Sequence, residues 1–92
     1  MGSGAVLPAS PELDKQIAAL QNGDKKKLAQ ALADRGTLRM NDSNAAPRVK
    51  YRAALADYRL ALKADPKNAE ALANKKQIED IYKMMGRPIP AA

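Results

Sequence analysis

Residues 51–72 read YRAALADYRLALKADPKNAEAL, and the reading of this stretch decides the fold. Tyr51, Ala54, Leu55, Tyr58, Ala61 and Leu62 recur at i, i+3, i+4 and i+7, the spacing of one face of an α-helix. Ala53, Ala56, Leu60 and Ala64 form a second apolar strip beside it. A helix that is apolar on two adjacent faces is expected to lie between two neighbours. Asp65-Pro66 stops this helix, because proline disfavours helical geometry in the residue before it. Asn68 then caps another.

Working outward, the last helix is expected to turn Leu72, Ile78, Ile81, Tyr82 and Met85 inward and to stop at Gly86, since Arg87-Pro88-Ile89-Pro90 cannot continue it. Upstream, Asn41-Asp42-Ser43-Asn44 is a polar turn. Ser43 or Asn44 is expected to cap the helix that follows, with Pro47 tolerated in its first turn. Asp24 caps a helix carrying Leu28, Leu32 and Met40. Ser10-Pro11-Glu12 opens a shorter one with Leu13, Ile17 and Leu20. Asn22-Gly23 is expected to end that first helix in a left-handed conformation. The fold class is therefore all-α, with about four helices at 11–22, 24–41, 45–64 and 68–86. Their short connections predict antiparallel neighbours. One domain, 10–88, is expected between a flexible tail at 1–9 and a C-terminal tail at 89–92.

Composition narrows the functional classes. Among 92 residues there is no Cys, His, Phe or Trp, and the aromatics are Tyr51, Tyr58 and Tyr82. The commonest general base, thiolate nucleophiles and zinc-type ligand sets are thereby excluded. Glu79-Asp80, the nearest acid pair, points to two sides of a helix. No catalytic, metal or cofactor site is expected, and the Ala/Leu core leaves no room for a substrate-sized cavity. No apolar run approaches the roughly 20 residues of a membrane span. Met1-Gly2-Ser3-Gly4 does not read as a signal peptide, so a soluble, cytoplasmic setting is favoured.

The segment from Ala54 to Leu72 resembles the second helix of a tetratricopeptide repeat and its passage into the next repeat. The resemblance is carried by Ala54-x3-Tyr58, Ala61 and Asp65-Pro66-Lys67-Asn68-Ala69-Glu70-Ala71-Leu72. Gly36 looks like the family's first-helix glycine, which lets the partner helix approach. Ile78-x3-Tyr82-x3-Gly86 looks like the opening helix of a second repeat. Arg35 and Arg39 stand where the family usually has Leu and an aromatic. Gly36 precedes Pro66 by 66 − 36 = 30 residues, against about 24 in a 34-residue repeat. Together with a long fourth helix, this reads as a lengthened hairpin with tetratricopeptide-like right-handed stacking.

The resemblance implies a non-catalytic protein-binding module. Its partner-facing surface belongs to the first-type helices, here the second and fourth. It would set Gln30, Ala33, Thr37 and Met40 opposite Glu70, Ala73, Asn74 and Gln77, a mixed and mostly uncharged face for a peptide or partner helix. An incomplete second repeat also leaves Ile81, Met84 and Met85 either covered by Pro88–Pro90 or open for docking, including docking of a second copy as a homodimer.

The net charge of +6 and a pI near 9.8 open a second class, a basic helical module for nucleic acid. Lys25-Lys26-Lys27, Arg48-Lys50-Arg52 and Lys75-Lys76 could neutralise phosphates. They are not read as base-stacking clusters, and cations are unfavourable at a helix start.

Overall fold

A computed structural model describes residues 10–91. The expected tail at 1–9 and Ala92 lie outside the described residues. Four helices follow in order: α1 (Pro11–Leu20), α2 (Lys25–Met40), α3 (Pro47–Ala64) and α4 (Ala69–Met84). The all-α reading holds, and the described residues contain no strand.

Local chemistry sets most of the boundaries. Ser10 Oγ accepts from the backbone N–H of Leu13, with Pro11 at the first helical position of α1. Asp24 accepts from the N–H groups of Lys26 (2.9 Å) and Lys27 (3.2 Å), and Asn68 from Ala71 (2.9 Å). At the far end of α4, Gly86 has φ of 68°. The Arg87 N–H bonds to the Tyr82 carbonyl and the Gly86 N–H to that of Lys83, the paired bonds of a Schellman turn.

The boundaries differ from expectation by one or two residues: α2 spans Lys25–Met40 and not 24–41, and α4 spans Ala69–Met84 and not 68–86. α1 ends at Leu20 and not at Asn22. Its last turn tightens through Gln21 N–H to Ala18 O and Gly23 N–H to Leu20 O, and Gly23 is not left-handed. α3 begins at Pro47, with Ala46 as its N-cap and no side-chain cap from Ser43 or Asn44. Pro47 holds Ala46 extended (φ −62°, ψ 139°), so the helix cannot start earlier. Asp42 instead accepts from the Asn44 N–H within the turn.

α2 lies at the centre. It packs most extensively against α3, and also contacts α1 and, more lightly, α4, which itself packs on α3. Pairs such as Asp14–Arg35, Arg35–Asp57 and Tyr58–Asn74 show successive helices running antiparallel. Gln30–Glu70 and Thr37–Asn74 place α2 and α4 parallel to each other. The core comprises Ile17, Leu28, Leu32, Leu55, Tyr58, Ile78 and Tyr82, threaded by buried alanines at 29, 31, 33, 54, 61 and 71. Small residues at 54 and 61 allow α3 to approach its neighbours, so that Tyr58, fully buried, fills the space between them.

The second apolar strip of α3 reaches this core only in part: Ala64 packs against it and Ala53 is half-buried. Leu60 is 47 % exposed and Ala56 faces solvent. Leu72, also expected inside, is 50 % exposed because Ala71 takes the inward position next to it. In helices this rich in alanine several strips are apolar, and only the one holding Leu55 and Tyr58 has the bulk to fill the gap between neighbours.

Candidate functional site

The parallel run of α2 and α4 brings most of the first candidate face together, although as a bonded seam and not as open groups. Gln30 donates to Asp34 (2.9 Å) and Glu70 (2.8 Å) and accepts from Asn68 (3.0 Å). Thr37 bonds to Glu70 and lies 2.8 Å from the Tyr58 hydroxyl. Asn74 donates to Tyr58 (3.1 Å) and Thr37 (3.3 Å). Thr37 has one hydroxyl proton and gives it to Glu70, so Tyr58 donates to Thr37. The result is a directed chain from Asn74 through Tyr58 and Thr37 to the Glu70 carboxylate, in which the members polarise one another. Burial pushes the Tyr58 phenol pKa upward, opposed by the hydrogen bonds of Thr37 and Asn74.

The other members of that face divide. Ala33 is fully buried in the core and offers nothing to a partner, a correction to its expected role. It falls one turn before Gly36 and Thr37, on the side of α2 where small residues admit α3. Met40 is half-buried against the core, while Ala73 and Gln77 are exposed on α4.

A second cluster was not anticipated. Asp57 is 2 % exposed, in the middle of the inward face of α3. Arg35 grips it with two bonds, Nε to Oδ2 (3.1 Å) and Nη2 to Oδ1 (2.8 Å), and Arg39 adds a third at 3.0 Å. Arg35 Nη1 reaches Asp14 at 3.1 Å, tying α1 into the same network. Its carboxylate partners, Asp57 foremost, push the Arg35 pKa above its ordinary value. These are the two arginines that stand apart from the repeat resemblance, and both neutralise this acid. The available signal was an acid amid Ala54, Leu55, Tyr58 and Ala61, with two arginines spaced i, i+4 on the preceding helix.

The third feature lies where α3 begins and α4 ends. Pro47, Arg48, Tyr51, Tyr82, Met85 and Arg87 line a cleft of about 230 Å³ with a mainly apolar lining. Met85 is 49 % and Met84 86 % exposed, whereas Ile81 is half-buried. After the Schellman turn the chain runs back along α3. Arg59 donates to the Pro90 carbonyl (2.6 Å) and Ile89 packs on the core. The tail thus covers part of this side and leaves the two methionines outside it. Lys50 Nζ sits 5.4 Å from the centre of the Tyr51 ring. The basic stretch 48–52 therefore includes an aromatic that the reading of its charges passed over.

Among the described residues no group of three or more His, Cys, Asp or Glu could hold a metal ion, and no helix is long and apolar enough to cross a membrane. Fold and surface together define an all-α protein of antiparallel helical hairpins with an apolar cleft where α3 begins and α4 ends. No family model, curated protein or solved structure matches the chain.

Proposed function

We propose that this chain is a non-catalytic interaction module of tetratricopeptide-like helical hairpins, and that it docks a peptide or partner helix at the open end of its α3–α4 pair. The observation that carries the reading is the cleft between Tyr51, Tyr82 and Met85, beside a Met84 that is 86 % exposed. Methionine is unbranched and polarisable, so it adapts to more than one apolar contact. The hairpin stacking is supported by the Gly36–Tyr58 contact and by the parallel placement of α2 and α4 across α3.

The α2–α4 face is the weaker docking surface. Gln30, Thr37, Glu70 and Asn74 already bond to one another, and a ligand there must exchange existing hydrogen bonds for new ones with little net gain. Random linear and helical peptide libraries displayed against the immobilised protein test the reading. Peptides are expected to enrich on the native chain and not on Met85→Glu. Equal enrichment on both proteins overturns the assignment of the cleft, and no enrichment overturns the module reading.

A further inference from the structure

We propose that the cleft between the start of α3 and the end of α4 takes an acidic peptide segment carrying one large apolar side chain. This rests on the interaction-module reading and specifies its partner. The apolar side chain enters between Tyr51, Tyr82 and Met85, and flanking carboxylates meet Arg48 and Arg87.

Charge complementarity decides the occupant. Residues 43–56 and 81–92 contain Arg48, Lys50, Arg52, Lys83 and Arg87, and no Asp or Glu. Five of the chain's charges, against a net +6, thus collect at one end of the α3–α4 pair. Elsewhere four cations are paired in salt bridges, Arg35 and Arg39 with Asp57, Lys75 with Glu79 and Lys76 with Asp80, and the remaining ones are interspersed with acids such as Asp14, Asp24 and Asp65. Among the described residues none of Arg48, Arg52, Lys83 and Arg87 forms a salt bridge, while Lys50 is spent on the Asp42 backbone carbonyl. Arg52 lies one turn beyond Arg48, on the same side of α3. α3 also starts with no side-chain cap and no acid in its first turn, so the positive end of its dipole adds to the field. The opposing negative end of α4 is closed by its Schellman turn and by Lys83 in its last turn.

The cleft's size and lining favour this occupant over the alternatives. Its volume of about 230 Å³ falls below the roughly 300–1,000 Å³ of small-molecule sites, so it suits a single anchoring side chain. Single-stranded nucleic acid binds in part by stacking bases on open ring faces, which this cleft does not offer. Tyr82 is buried and Tyr51 is half-buried beneath Lys50. A second copy of the chain would bring the same five cations against each other.

The test uses fluorescein-labelled synthetic peptides with blocked ends, read by fluorescence anisotropy at low and moderate salt. The probe carries one Phe between two pairs of Asp and Glu. Its controls replace the acids by Asn and Gln, or the Phe by Ala, and an oligothymidylate serves as polyanion. The acidic Phe peptide is expected to bind tightest and to weaken as salt screens the arginines. Reversing one arginine, in Arg48→Glu or Arg87→Glu, should weaken it about tenfold, as the loss of one attraction and the gain of one repulsion predict. Both arginines are exposed, and unchanged circular dichroism checks that the variants fold. Equal binding of the acidic and uncharged Phe peptides, both lost in Met85→Glu, overturns the acidic preference and leaves the docking site standing. Tighter binding of the oligothymidylate, or no effect of the arginine reversals, overturns the proposal. Absence of all peptide binding, with no Met85-dependent peptide from the libraries, overturns the proposal and the module reading together.

Discussion

Gly36 on α2 lies directly against the ring of Tyr58 on α3. A Cβ at position 36 would stand 2.9 Å from Tyr58 Cε1, 3.1 Å from Cζ and 3.2 Å from Cδ1. The ring cannot retreat, because Tyr58 is fully buried and its hydroxyl is held by Thr37 and Asn74. The missing side chain at 36 therefore sets how closely α2 and α3 approach, and with it the alignment of α2 with α4.

Gly36→Ala opposes two effects. Alanine favours the helix by up to about 1 kcal/mol over glycine, while forcing a methyl into a packed core costs about 1–3 kcal/mol. We expect a net loss of about 1 kcal/mol, visible as a Tm lower by roughly 4–8 °C. In a Tyr58→Leu background the clash is gone and only helix propensity remains, so the same substitution should raise Tm. A Tm that rises in both backgrounds would show that the contact exerts no constraint.

Tyr58 also confers a pH dependence. Its folded pKa is raised above the usual 10, chiefly because burial disfavours the phenolate. The unfolded chain therefore loses this proton first. The stabilisation is complete below about pH 10 and is lost as pH rises through the higher folded value. Tyr58→Phe should lower stability at neutral pH by about 1 kcal/mol, as hydrogen bonds at Thr37 and Asn74 are given up. It should also remove the alkaline loss. Urea melts of both proteins at pH 8 to 11 make the comparison, and parallel curves across that range would contradict it.

Much of this arrangement was legible in the residues. The inward face of α3 follows from helical spacing, and the stops at Asp65-Pro66 and Gly86 follow from backbone sterics. The start at Pro47 was equally available from the rule that disfavours helix before proline, although the neighbouring Ser43 and Asn44 argued for an earlier cap. What spacing could not supply was the register between helices. Asp57 and the two arginines are far apart in sequence, and only the α2–α3 alignment makes them partners. The same applies to the candidate faces. Thr37 and Asn74 were placed opposite each other by the repeat resemblance, but whether they bond together or stay free depends on side-chain reach. At the cleft, Met85 was singled out, whereas Arg48 and Tyr51 join it only because α3 begins where α4 ends.

The buried Asp57 should behave as one member of a matched set. Asp57→Leu leaves Arg35 and Arg39, both mostly buried, facing an apolar side chain. Removing one partner of a buried ion pair costs about 3–5 kcal/mol, a large part of the about 5–15 kcal/mol by which small domains are stable. The urea midpoint should fall accordingly. Replacing the set together, as Asp57→Leu with Arg35→Leu and Arg39→Met, should recover most of the loss, because no buried unpaired charge remains and the Asp14 it frees is largely exposed. Equal stability of the single variant and the native chain would rule out the matched set.

Asp24 offers the contrasting case of a charge whose effect is local and fully exposed. Its pKa is lowered, first by the backbone hydrogen bond from Lys27 and next by that from Lys26. A carboxylate with a depressed folded pKa stabilises above its unfolded value of 3.8, and loses that contribution as pH falls through the lower folded value. Asp24→Ala should therefore reduce α2 helicity at neutral pH. Asp24→Asn, which keeps an accepting oxygen without the charge, should reduce it less. As pH falls from 5 to about 2, the native chain should approach the Asn variant, since both then cap with a neutral oxygen. Circular dichroism at 222 nm follows this convergence, and a gap that persists at low pH would mean that the charge on Asp24 plays no part in holding the start of α2.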